Sequence, residues 1–230
     1  MRLAKQHLDV GLFTNHAEAM LTFWQQRVGL PFEELLPLGG GVRQHRHALN
    51  GAVLKLNAVR EPLPAAPPSG YRELLIACHG LPELLALTDP DGNRVTLVPH
   101  GAEGVTSLAV RLAVRLAVRD AAAFHDFYGR ILALPAAGKN AYRWGDTLLR
   151  FAQDASAGPA GELRAPGYRY LTVQVHDVDS EHIALIRRGA REGRAPVTLG
   201  ETARISFIRD PDGNWIEVSQ RASLTGPLPR

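Results

Sequence analysis

The chain repeats itself. Asp89-Pro-Asp-Gly-Asn93 recurs as Asp210-Pro-Asp-Gly-Asn214, and each copy runs into an alternating, strand-like segment, Arg94 to Val98 and Trp215 to Val218. Gly70-Tyr-Arg72 opens the apolar run Glu73 to Cys78, and Gly167-Tyr-Arg169 opens Tyr170 to Val175. Phe23-Trp24 with Leu30-Pro31 is matched by Phe127-Tyr128 with Leu134-Pro135, at a spacing of 104 residues. Such self-similarity restricts the fold more than composition does, because both halves must bury their apolar faces on one plan.

Each half opens with an extended run, Leu8 to Thr14 and Leu108 to Val118. The second run alternates Leu/Val with Ala/Arg, which is a strand pattern. Helical spacing follows in His16 to Trp24 and in Asp120 to Tyr128, with Asn15 and Asp120 as N-caps. Short strands joined by turns such as Asn50-Gly51 and Trp144-Gly145 complete β-α-β-β-β units. The last unit has a strand from Tyr168 to Val175, a helix from Ser180 to Arg194 and strands over 196–199, 203–209 and 215–219. Unit two is cut down: Gly70 to Asp89 spans 19 residues where Gly167 to Asp210 spans 43, which removes a helix and a strand. The expected class is α+β, with four βαβββ-type units, the second shortened. The Pro-rich Glu61 to Gly70 and the segment Gly101 to Val105 read as linkers. They give an N-terminal domain over 1–100 (units one and two), a C-terminal domain over 106–221 (units three and four) and a tail over 222–230.

Composition removes several function classes. The single cysteine, Cys78, has no intrachain partner, so neither a disulfide scaffold nor a Cys-rich metal site fits, and a reducing, cytoplasmic setting is expected. No stretch approaches the roughly 18 apolar residues of a membrane span, so no membrane partner is expected. The 26 basic and 23 acidic residues are spread along the chain, and the densest cluster, Arg187, Arg188, Arg191 and Arg194, reads as a solvated helix face. Nucleic-acid binding is therefore not expected.

The repeated units, the aromatic pairs ending the first helix of each half, and the Asp-Pro-Asp-Gly-Asn turn before a last strand bearing Glu217 resemble the vicinal oxygen chelate superfamily. Glyoxalase I, bleomycin-resistance proteins and extradiol dioxygenases belong to it. The resemblance covers roughly residues 5–220. It implies that paired units form two cupped mixed β-sheets with helices packed outside, the hollow of a cup holding a divalent metal (Fe, Mn, Ni or Zn) and a small oxygen-bearing ligand. Four units close both such cups within one chain, which makes a monomer the expectation and a homodimer the alternative. It also implies a His on the first strand of a unit and a Glu on the last. The matching first-strand positions here are Asp9, Glu73, Ala113 and Tyr170, and the last-strand positions are Lys55, Thr96, Leu149 and Glu217. Of these only Glu217 keeps the family's ligand type, and Ala113 cannot bind iron.

Read at period two, Tyr170, Thr172, Gln174 and His176 share one strand face and Leu171, Val173 and Val175 the other. With Glu217 opposite, the polar face suits an oxygenated ligand, with Glu217 as base, Tyr170 or His176 as acid, and Thr172 and Gln174 as ligand-binding groups. Arg111 and Arg115 point into the same C-terminal cup or over its edge, where a guanidinium pairs with Glu217 or holds an anion. In the N-terminal half, His45 and His47 share a strand face, and with His7, Asp9 and Glu73 they form a mixed His/carboxylate metal candidate; exposed histidines are the alternative. With these residues, the resemblance implies a small-molecule enzyme of lyase, isomerase or dioxygenase type with an atypical metal site. The alternatives are a non-catalytic protein that sequesters a compound in the cup without metal, as in the bleomycin-resistance branch, and a true extradiol dioxygenase.

Overall fold

The computed structural model describes residues 1–100 and 111–229. Unit one runs β1 (Asp9–Thr14), α1 (Ala17–Thr22), β2 (Phe32–Gly39), β3 (Val42–Leu49) and β4 (Ala52–Val59). Unit two keeps only β5 (Tyr71–Cys78), β6 (Leu85–Thr88) and β7 (Arg94–Pro99), as its length requires. Unit three is β8 (Leu112–Val118), α2 (Ala121–His125), β9 (Ala141–Trp144) and β10 (Thr147–Gln153). Unit four is β11 (Gly167–Gln174), α3 (Val178–Arg187), β12 (Arg191–Leu199), β13 (Ala203–Arg209) and β14 (Trp215–Arg221), followed by the short α4 (Ala222–Thr225). The Gly101 to Val105 linker and the start of the run at Leu108 lie outside the described residues.

The strands form an eight-stranded sheet, β12-β13-β14-β11-β1-β4-β3-β2, and a six-stranded sheet, β6-β7-β5-β8-β10-β9. At the centre of the larger sheet β1 and β11 run antiparallel, with Asp9 opposite Thr172 and Val10 opposite Leu171. Each is flanked by the parallel last strand of its own unit, which sets Lys55 beside Gly11 and Glu217 beside Thr172. In the smaller sheet β5 and β8 play the same central parts. Unit one is thus completed by unit four, and unit two by unit three. The sheets therefore divide the chain differently from the halves 1–100 and 106–221. A repeat defines the building unit, whereas the edge-to-edge partner is chosen by whichever first strand satisfies the open side of β1.

One cluster of buried residues joins both sheets to the helices: Leu54 and Leu171 from the larger sheet, Leu74 and Leu116 from the smaller, with Trp24, Phe124 and Leu185. The cups hold separate clusters, Phe13, Val42, Tyr170, Ile205 and Phe207 in the larger and Leu75, Val98 and Ala113 in the smaller. Period two produces this division, since Leu171 and Val173 enter the shared core while Tyr170 turns into the cup. Gly11 is required here, because a Cβ on it would lie 2.1 Å from the Tyr170 ring.

One local expectation is met and two change. α2 is capped by Asp120 as expected, its carboxylate accepting from the Ala122 and Ala123 N–H groups. Asn15 instead bridges the Val59 and Glu61 carbonyls and the Leu63 N–H, tying the Pro-rich linker to β4, and His16 takes the N-cap position without a side-chain bond. α3 stops at Arg187 because Gly189 adopts φ 104°, a left-handed terminator, so Arg191 and Arg194 sit on β12 rather than on a helix face. Among the described residues no helix is long and apolar enough to cross a membrane.

Candidate ligand site in the eight-stranded cup

The hollow of the larger sheet is a cavity of about 570 Å³. Its walls are apolar, from Phe13 and Leu36 on the unit-one side and Ile205 and Phe207 on the unit-four side. Its floor is polar and comes from three of the four central strands. β4 contributes Lys55, β11 contributes Tyr170, Thr172 and Gln174, and β14 contributes Glu217.

Lys55 is 4% exposed, and its ammonium donates to Glu217 Oε2 at 2.8 Å and to Thr172 Oγ1 at 2.7 Å. Thr172 passes its own hydrogen to the same Glu217 oxygen at 2.6 Å. Burial pushes the Lys55 amine down from its ordinary range, while Glu217 and then Asp9 oppose that shift and hold the charge. Among the described residues nothing hydrogen-bonds Glu217 Oε1, and Glu217 lines the cavity.

Tyr170 accepts from Asn57 Nδ2 at 3.1 Å and from Gln44 Nε2 at 3.5 Å, and no described residue accepts its hydrogen. Burial, and after it the Glu217 charge, raise the phenol far above its ordinary value, so it stays protonated and its O–H is available to a ligand. Gln174 donates to Asp9 Oδ2 at 3.2 Å, and its buried Oε1 has no partner. Asp9 lies beneath this layer, fully buried, and also accepts from Lys5 Nζ at 2.7 Å and the Val53 N–H at 2.9 Å.

The pairing of units decides which candidates meet. Glu217, Tyr170, Thr172 and Gln174 share one cup, joined by Asp9 and Lys55 from the other end of the chain. His176 lies past the end of β11 in a bend, half-buried, and does not line the cavity. Arg115 pairs with Glu73 at 2.8 Å in the six-stranded sheet, where Thr96 also donates to Glu73 at 2.6 Å, so Arg115 does not reach Glu217. The five-residue metal candidate is dispersed. His7 pairs with Asp146, Asp9 is in the larger cup and Glu73 in the smaller. His45 and His47 do share a face of β3, but it is the outer one, where both rings lie against Phe32 and His47 meets Gln25 of the π turn after α1. Burial lowers both imidazoles, His47 to about 4.

The four positions at which the resemblance expects metal ligands in this cup are Asp9, Lys55, Tyr170 and Glu217. This set does not fit a divalent ion. An ammonium offers no lone pair and repels a cation, the phenol is held protonated, and Asp9 is already engaged by Lys5. Among the described residues no group of three His, Cys, Asp or Glu side chains is placed to hold a metal. The set Ala113, Tyr170 and Glu217 that an extradiol dioxygenase would need is split between the two sheets. Sequence reasoning gave no role to Gln44, Arg46, Asn57 or Arg221, all of which line the cavity. Strand parity carried part of the signal, since Gln44 and Arg46 alternate with His45 and His47, and Asn57 follows Lys55 by two.

Residues 110–218 match the model of the Glyoxalase/Bleomycin resistance protein/Dioxygenase superfamily. No curated protein matches the chain. Among solved structures it is similar to glyoxalase I from Zea mays, with a TM-score of 0.73 and 13% identity over 95% of this chain and 92% of that one. It is also similar to a dioxygenase-family protein from Bacillus subtilis, with a TM-score of 0.67 and 12% identity over 96% and 86%. At such identities the likeness is one of fold. Residues 110–218 are thus similar to a domain of the Glyoxalase/Bleomycin resistance protein/Dioxygenase superfamily, on a chain that shares the fold of glyoxalase I over 95% of its length.

Proposed function

We propose that the chain is a small-molecule enzyme of lyase or isomerase type that removes a proton from a carbon next to a carbonyl, with Lys55 acting where relatives are expected to place a metal. The observation that carries this reading is the floor triangle of Lys55, Thr172 and Glu217, with one carboxylate oxygen facing open space. Glu217 Oε1 takes the proton, and the C–H electron pair moves toward the carbonyl oxygen. The negative charge that develops there is met by the Lys55 ammonium and the Tyr170 O–H. Both donors are fixed before reaction in a site of low dielectric, which is where they stabilise an oxyanion most. Return of the proton from Glu217 to a neighbouring atom, or loss of a leaving group from the enolate, completes the step. No metal is required by this donor set.

The apolar walls support a second reading, sequestration of a compound without turnover, as in the bleomycin-resistance branch of the superfamily. Deuterium exchange separates the two. A panel of 2-oxo and 3-oxo acids incubated with the protein in D₂O and followed by proton NMR should lose signal at the α-carbon of at least one member. Glu217→Gln should lower that exchange by about 10²–10⁴-fold while leaving binding within a few-fold. Binding without exchange in the unaltered protein would reject the enzyme reading in favour of sequestration.

A further inference from the structure

The upper wall of the cavity contains an arrangement that the floor chemistry does not use. Arg46 of β3 and Arg221 at the end of β14 both line the cavity and both approach the same carboxylate, Glu34 Oε2 of β2, at 3.5 Å each. The arginine side chains are 8% and 17% exposed, whereas Glu34 is 45% exposed on an edge strand. Strong guanidinium–carboxylate pairs are bidentate at about 2.7–2.9 Å, so neither contact is of that kind. Arg46 has one further bond, to Gln44 Oε1 at 3.1 Å, and Arg221 has none among the described residues. None of their unpaired nitrogens is sealed away from solvent. Two shielded cations therefore share one loosely held, solvent-facing anion. On the opposite wall Arg194 of β12 also lines the cavity, without a partner among the described residues. Since Lys55 and Glu217 neutralise each other on the floor, the cavity as a whole is positive.

We infer that Arg46 and Arg221 form an anion-binding subsite for the acidic head of an amphipathic organic acid, and that Glu34 occupies this subsite only until the ligand displaces it. The inference rests on the reading of the cup as a ligand site and specifies the class of molecule that enters it. A planar carboxylate or a sulfonate between the two guanidiniums gains the short bonds that Glu34 does not make. The apolar body then lies against Phe13, Leu36, Ile205 and Phe207, which directs the remainder of the molecule toward Glu217 and Lys55. Burial, and after it the nearby Arg46 charge, lower the Arg221 guanidinium, which agrees with two like charges awaiting a counterion. Glu34 reaches both arginines from a separate strand, so its side chain can swing outward without breaking the sheet.

The test uses 8-anilino-1-naphthalenesulfonate as the anionic probe and N-phenyl-1-naphthylamine as its uncharged counterpart, titrated into the folded full-length protein by fluorescence. One site per chain is expected for the sulfonate, weakened by added salt and displaced by benzoate or phenylacetate but not by their amides. Arg221→Gln and Arg46→Met should each weaken the sulfonate by about tenfold, as loss of a charge-assisted hydrogen bond does, and change the uncharged probe by less than about twofold to threefold. Glu34→Gln, at an exposed position, should tighten the sulfonate several-fold, and this variant keeps the inference testable if Arg46→Met does not fold. Equal affinity for both probes, or no gain in Glu34→Gln, would overturn the anion subsite while leaving the cavity as a ligand site. Failure of both probes to bind would overturn both readings. Anion binding without deuterium exchange would overturn only the proposed chemistry.

Discussion

Lys55 is the residue on which the cup floor turns, because it is buried next to two carboxylates that came from opposite ends of the sequence. Replacing it by Met removes the partner of Glu217, whose side chain is only 9% exposed. Breaking a buried pair on one side costs about 3–5 kcal/mol, since the remaining charge is left uncompensated. Lys55→Met should therefore lower the urea-unfolding free energy by about that amount, whereas Lys55→Met/Glu217→Gln should recover much of the loss. A single-variant cost below about 1 kcal/mol, typical of exposed pairs, would show that the triangle is solvated and not a fixed floor. Part of this was legible in the sequence. Lys55 stands in the strand run Val53-Leu-Lys-Leu-Asn57 at the parity of a cup-facing residue, and a lone cation there requires an anion. Which anion was not legible, because Glu217 is distant in sequence and reaches Lys55 only through the pairing of β1 with β11.

The two Asp-Pro-Asp-Gly-Asn elements show the same limit one level up. Their turn character follows from the residues: Asp89 Oδ1 accepts from the N–H groups of Asp91 and Asn93, and Asp210 Oδ1 from those of Asp212 and Asn214. Their reciprocal use could not be read. Asn93 accepts from the Tyr168 N–H at 3.2 Å and Asn214 from the Gly70 N–H at 2.6 Å, so each turn holds the opening of the other's Gly-Tyr-Arg strand. These turns are therefore clasps between the sheets. Desolvation raises Asp89 and Asp210 each to about 6, against an ordinary value of 3.8. A carboxyl whose folded pKa is raised binds its proton more readily when folded. Its contribution to stability is present below pH 4 and is lost as pH rises from about 4 to about 6. For the fully buried Asp210 the loss by pH 7 amounts to about 3 kcal/mol. Asp210→Asn should accordingly gain less stability than the unaltered protein when pH falls from 7 to 5. Urea titrations at the two pH values check this, and identical pH slopes would mean that Asp210 is ionised at no such cost.

At the scale of the molecule, the fold class and the unit boundaries were legible because a repeated pattern fixes local structure. The assembly was not, since four like units admit more than one way to close two cups. The nested arrangement, unit one with four around unit two with three, places the site across the ends of the chain and leaves no complete cup in either half. That has a direct consequence for a chain divided between units two and three. Residues 1–100 alone would expose the edges of β1 and β5 that normally bind β11 and β8, two apolar strands without partners. Residues 106–230 alone would expose the complementary edges and carry Glu217 without Lys55. Neither fragment should unfold cooperatively or bind the uncharged naphthylamine probe, and both activities should return when the fragments are co-expressed and purify together. Had each half held its own cup, residues 1–100 would fold cooperatively by themselves and 106–230 would retain the probe site. The fragment experiment thus reads the pairing of the units directly, and because the cavity forms only when β4 and β14 flank the joined β1 and β11, probe binding reports assembly of the sheet.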